Sequence, residues 1–142
     1  MSEATYEPKI LALACHYRGY AAADLAGAWH LQYPASVRIV RLPCTGKTDA
    51  LYLLKAFEEG ADAVLIAGCE KGLCHFLEGN YNAERRVKYV KKLLDDIGLG
   101  GDRLEMFFMT ATDAPKFAEA VEEMTRRAKS LGPNPLNKKR EE

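Results

Sequence analysis

Ala63-Val64-Leu65-Ile66-Ala67-Gly68-Cys69-Glu70-Lys71-Gly72-Leu73-Cys74-His75 is an apolar run that opens into a Cys-x4-Cys stretch. Five consecutive apolar residues, preceded by Gly60, predict a short strand buried on both faces. Cys69 and Cys74 then leave the carboxyl end of a core strand. The other two cysteines, Cys15 and Cys44, also come just after apolar runs, at 9–14 and 37–42. A fourth run, Leu104-Glu105-Met106-Phe107-Phe108-Met109, has the same strand character.

Between these runs the spacing turns helical. An Ala-rich helix is expected at 20–31, with Leu25, Ala28 and Trp29 as its buried stripe. It stops before Pro34, because the residue preceding a proline is pushed out of helical torsions. A second helix is expected at 49–59, capped by Thr48, with Leu51, Leu54, Ala56 and Phe57 facing inward and Gly60 closing it in the left-handed region. A third is expected at 82–97, with Val87, Val90, Leu93, Leu94 and Ile97 on one face. A fourth starts from a cap at Thr112 or Asp113, uses Pro115 near its start and runs to about residue 130. The second strand alternates Val and Ile with Arg38 and Arg41, as an edge strand with one solvated face does.

Four β-α units in succession predict an α/β fold: a flavodoxin-like or Rossmann-like three-layer sandwich, with a four-stranded parallel sheet in order 2-1-3-4. The expected organisation is a lead-in at 1–8, one domain at 9–131 and a polar tail at 132–142. In such a sheet the segments following the strands gather at one edge, and neighbouring strands lie about 5 Å apart. Cys15, Cys44, Cys69 and Cys74 are therefore expected to converge over the first strand. Four thiols suit tetrahedral ligation of zinc or of an iron–sulfur cluster, and spacing alone does not separate the two. The Cys-x2-Cys of a thioredoxin-like dithiol is absent.

Bulk properties narrow the function. The 142 residues suit a single domain, and 48% hydrophobic with 28% charged residues is ordinary for a globular chain. Twenty basic and twenty acidic residues give zero formal charge, which argues against a nucleic-acid binder driven by phosphate neutralisation. No apolar run reaches the length of a bilayer span, so no membrane insertion is expected. The acidic start lacks the features of a signal peptide, so a cytoplasmic location is expected, where grouped cysteines more often bind metal or do redox work. Gly46-Lys47 lacks the rest of a Walker loop. His16 and His75 each sit near a cysteine, and secondary or surface roles are expected for both. Glu84, Arg85 and Arg86 open a helix, either as a solvated face or as a contact for the Cys69–Cys74 stretch or a partner.

Ala12-Leu13-Ala14-Cys15, Gln32-Tyr33-Pro34, Cys44-Thr45-Gly46, the Gly68-Cys69 to Cys74-His75 stretch and Glu78-Gly79-Asn80-Tyr81-Asn82-Ala83-Glu84-Arg85-Arg86 together carry a resemblance. Over about residues 7–131 the chain resembles the iron–sulfur delta subunit of the methyl-viologen-reducing hydrogenase. That resemblance implies an electron carrier with one [2Fe-2S] cluster, and Cys15, Cys44, Cys69 and Cys74 match family cysteines as its candidate ligands. It implies as partners a heterodisulfide reductase A-like flavoprotein and a hydrogenase or formate dehydrogenase-type input module, in a bifurcating complex. The alternatives are a zinc-bound or metal-free structural adaptor of such a complex, and a free-standing flavodoxin-like binding module. Where family members commonly read Cys-Cys-x-Trp-Cys, this chain has Ala14-Cys15-His16-Tyr17-Arg18. The four remaining thiols equal the number a [2Fe-2S] centre requires. Arg18 beside such a centre is expected to favour its reduced form.

Overall fold

Residues 7–16, 18–31, 37–42, 44, 49–69 and 79–136 are described by a computed structural model, with Cys69, Gly79 and Asn80 described by backbone only. The strands are β1 (Ile10–Cys15), β2 (Val37–Leu42), β3 (Ala63–Cys69) and β4 (Leu104–Met109). They alternate with helices α1 (Gly19–Ala28), α2 (Ala50–Glu58), α3 (Gly79–Asp96) and α4 (Ala114–Leu131). All pairings are parallel, in the order β2-β1-β3-β4. This is the α/β architecture and strand order expected from the sequence.

The apolar runs explain the layers. Residues 63–67 of β3 are all fully buried, because successive side chains enter opposite cores. Ala63, Leu65 and Ala67 join Ala12 and Ala14 of β1 beneath α1 and α4. Val64 and Ile66 join Leu13 beneath α2 and α3. At the edge, β2 leaves Arg38 and Arg41 exposed and its apolar residues half-buried.

Three helix faces differ from expectation. The buried stripe of α1 is Gly19, Ala22, Ala23 and Ala26, while Trp29 is 56% exposed and Ala28 is also outside. The helix ends at Ala28 because His30 takes a positive φ of 56°. His30 and Leu31 then donate to the carbonyls of Gly27 and Ala26, closing a Schellman turn. Small residues form the inner face because this helix lies close to the sheet; bulk misdirects the sequence reading toward Trp29.

In α2 the inner residues are Leu53 and Phe57, with Leu54 and Ala56 half-buried, and Leu51 is 74% exposed in the first turn. Its cap is Asp49, whose carboxylate accepts the Tyr52 N–H at 2.7 Å; Thr48 lies outside the described residues. Gly60 (φ 115°) closes the helix as expected. Helix α3 begins at Gly79 rather than 82, and Ile97 lies past its end, 65% exposed. The Asp113 carboxylate turns back to accept the Thr110 N–H at 2.8 Å, and Pro115 sits in the first turn of α4. Beyond residue 131, Asn134 is fully buried. Among the described residues no helix is long and apolar enough to cross a membrane.

Candidate cysteine site

Parallel pairing brings the carboxyl ends of β1 and β2 side by side. Cys15, the last residue of β1, pairs with Leu42, the last of β2. The His16 N–H then donates to the Leu42 carbonyl at 2.7 Å, carrying the ladder one step past the strand ends. Cys44 follows two residues after Leu42. The two cysteines pack together as a buried pair separate from the two cores, at 1% and 8% exposure.

The third cysteine reaches the same edge by backbone placement. The β1–β3 ladder ends at Ala14 and Ala67, and Cys69 is the final residue of β3, paired with Met109 of β4. Cys74, His75 and Lys47 lie outside the described residues. The structure thus brings Cys15 and Cys44 together and sets the Cys69 backbone at their edge. Among the described residues, no three His, Cys, Asp or Glu side chains form a cluster able to hold a metal ion.

A polar contact completes this corner. The Gly19 N–H, at the start of α1, donates to Cys15 Sγ at 3.2 Å. That amide is one of the first-turn donors that a helix leaves without an intrahelical acceptor. Beside it, Arg41 of β2 lies over the Tyr20 ring, 5.3 Å from its centroid. Gly19 is a residue that sequence reasoning missed: it reads as the end of a connecting segment, and a backbone N–H has no letter of its own. The available signal was a glycine opening an alanine-rich run, Gly19-Tyr20-Ala21-Ala22-Ala23.

The other residues singled out from the sequence fall around this edge. His16 is exposed. Ala14 is fully buried in the core beneath α1 and α4, and Arg18 is the N-cap residue of α1, its carbonyl accepting the Ala22 N–H at 2.8 Å. Tyr81 lies in the first turn of α3, 36% exposed. Arg85 hydrogen-bonds Asn82. Glu84 helps line a groove of about 390 Å³ between α3 and β4, with Lys88, Lys91 and Glu105. Its mixed charges are those of a solvated, ion-paired surface.

Residues 10–132 match the family model described as methyl-viologen-reducing hydrogenase, delta subunit. A protein of Methanocaldococcus jannaschii, named as an iron-sulfur subunit of the vhu F420-non-reducing hydrogenase, is 58% identical over 130 residues, covering 92% of this chain and 97% of that one. The protein of the same name from Methanopyrus kandleri is 49% identical over 127 residues, covering 89% and 96%. A Methanosarcina acetivorans protein, named as the A component of a ferredoxin/F(420)H(2)-dependent CoB-CoM heterodisulfide reductase, is 33% identical over 126 residues, covering 89% of this chain and 16% of its own length. With a family match over nearly the whole domain and relatives matched almost end to end, the chain belongs to the family of methyl-viologen-reducing hydrogenase delta subunits.

Proposed function

We propose that the protein is an electron-transfer subunit holding one [2Fe-2S] cluster on Cys15, Cys44, Cys69 and Cys74. It passes electrons between a hydrogenase or formate dehydrogenase-type input module and a heterodisulfide reductase A-like flavoprotein, within a bifurcating complex. The observation that carries this reading is the buried Cys15–Cys44 pair at the carboxyl ends of adjacent parallel strands. The donor set fits such a group: two sulfurs shielded from water, with a backbone N–H already directed at one of them. When bound, a cluster of this type takes up and returns a single electron.

The residues around the cysteines have separate tasks. The β1–β2 register sets Cys15 beside Leu42, and Cys44, two residues further on, packs against Cys15. Burial at this edge excludes water from the two sulfurs. The relatives' names support the assignment, since two of them are called iron-sulfur subunits. The heterodisulfide reductase polypeptide contains a stretch 33% identical to this chain within a longer sequence. That supports a partner of the same class, because fused domains share a complex.

The test is spectroscopic. The anaerobically purified full chain is expected to be reddish-brown and to give a one-spin EPR signal after one-electron reduction. Cys→Ser at each of the four positions is expected to abolish or shift that signal. A colourless protein that binds zinc, or four serine variants with the wild-type spectrum, contradicts the proposal.

A further inference from the structure

We propose that Gly19 is a positioning residue of the cysteine site, and that its N–H, held on Cys15 Sγ by the close seating of α1 against β3, raises the reduction potential of the bound centre. The inference rests on the iron–sulfur reading above and adds a residue to it. Three observations support it. First, the N–H to Sγ distance is 3.2 Å in a buried setting. Second, a Cβ on Gly19 would lie 2.1 Å from the Ala67 carbonyl oxygen and 2.8 Å from its carbon. Those are backbone atoms of a central strand, and they have no room to move aside. Third, the rest of the inner face of α1 is Ala22, Ala23 and Ala26, each at most 4% exposed. These small residues let the helix lie close to the sheet along its length.

Torsion does not explain the glycine. Among the described glycines, Gly60, Gly98, Gly100 and Gly132 have positive φ, and Gly19 does not. The position is reserved by space: only a residue without Cβ lets the first turn of α1 rest on Ala67 and point its free amide at the sulfur. A hydrogen bond donated to a coordinating sulfur favours the state with more negative charge, which is the reduced one. Losing it shifts the potential to more negative values.

Gly27 provides the control. It lies in the same helix, and a Cβ there meets nothing within 4 Å. The experiment compares the wild-type chain with Gly19→Ala, Gly27→Ala and a semisynthetic chain in which the Gly19 N–H is replaced by an ester oxygen. Iron content, melting temperature and the midpoint potential from an EPR-monitored titration are read for each. The ester chain adds no Cβ and is expected to keep its iron with a more negative potential. Gly19→Ala is expected to show the same shift together with a lower melting temperature, and Gly27→Ala the wild-type potential. Should Gly19→Ala fail to fold, the ester chain decides. An ester chain with the wild-type potential overturns the inference while leaving the iron–sulfur reading intact. A wild-type chain without iron overturns that reading first, and the inference with it.

Discussion

Asp62 carries its carboxylate into the amino-terminal edge of the sheet, opposite the cysteines, and is 2% exposed. One oxygen accepts the Lys9 N–H and the other the Asn134 N–H, each at 2.8 Å. Asn134 in turn donates its side-chain amide to the carbonyls of Phe57 and Ala61, both at 2.8 Å. Arg103, also 2% exposed, donates to the carbonyls of Leu99, Asp62 and Gly132. These bonds tie the starts of β1, β3 and β4 to the segment following α4. Replacing Asn134 by Ala leaves two inward-facing carbonyls without this donor. Asn134→Ala is therefore expected to destabilise the protein by about 2 kcal/mol, read as a lower urea midpoint with an unchanged slope. An unaltered midpoint would show that water replaces the amide without loss. The meeting of Cys15 and Cys44 was legible at this scale, because each comes just after a run that forms one of two neighbouring strands. Asn134 was not: in a polar segment after Gly132-Pro133, nothing in the sequence distinguishes a buried asparagine from a solvated one.

At the scale of elements, β4 is an open edge, and charged side chains brace it. Glu105 of β4 is gripped by Lys91 of α3 at 2.9 Å and Arg127 of α4 at 3.2 Å. Arg127 also pairs with Glu123, which holds Arg126. Burial pushes the Glu105 carboxyl up, but hydrogen bonds from Lys91 and Arg127 outweigh it, and the group titrates below its ordinary 4.5. A carboxyl depressed in the folded state stabilises above its unfolded value, and that stability is lost as pH falls through the folded one. The stability gap between wild type and Glu105→Gln is thus expected to be present at neutral pH and to close as pH drops below about 4.5. It should stay under about 1 kcal/mol, because the pair is partly solvated. Urea midpoints across that range check this; a gap independent of pH would contradict it.

Two glycines with open space for a Cβ give a paired prediction for helix interiors and ends. Gly27 lies within α1 and Gly98 follows α3 at φ 88°. Gly27→Ala should stabilise by about 1 kcal/mol through helix propensity. Gly98→Ala should cost about 1 kcal/mol, because its left-handed torsion closes the helix. Thermal melts showing the same sign for both would refute the account of these positions. Helix existence was legible from periodicity, whereas the faces of α1 and α2 were partly misread. Their inner surfaces are set by how near each helix lies to the sheet, a tertiary quantity that hydrophobic spacing does not encode.

For the whole molecule, strand order is the decisive property. The order 2-1-3-4 was readable because every apolar run is short, is followed by a helical pattern and, at the centre, is apolar on both faces. That order places β1 between β2 and β3 and brings their carboxyl ends to one edge. A one-residue shift of β2 against β1 would move Cys44 relative to Cys15, so the site depends on register as well as order. The opposite edge is tied by Asp62, Arg103 and Asn134, and the cysteine edge is where the chemistry is proposed. The central claim is that this edge holds a two-iron cluster. The most direct measurement is iron, zinc and acid-labile sulfide in the anaerobically purified full-length chain. About two iron and two sulfide per chain, without zinc, is the predicted result; one zinc and no sulfide, or no metal at all, would contradict it.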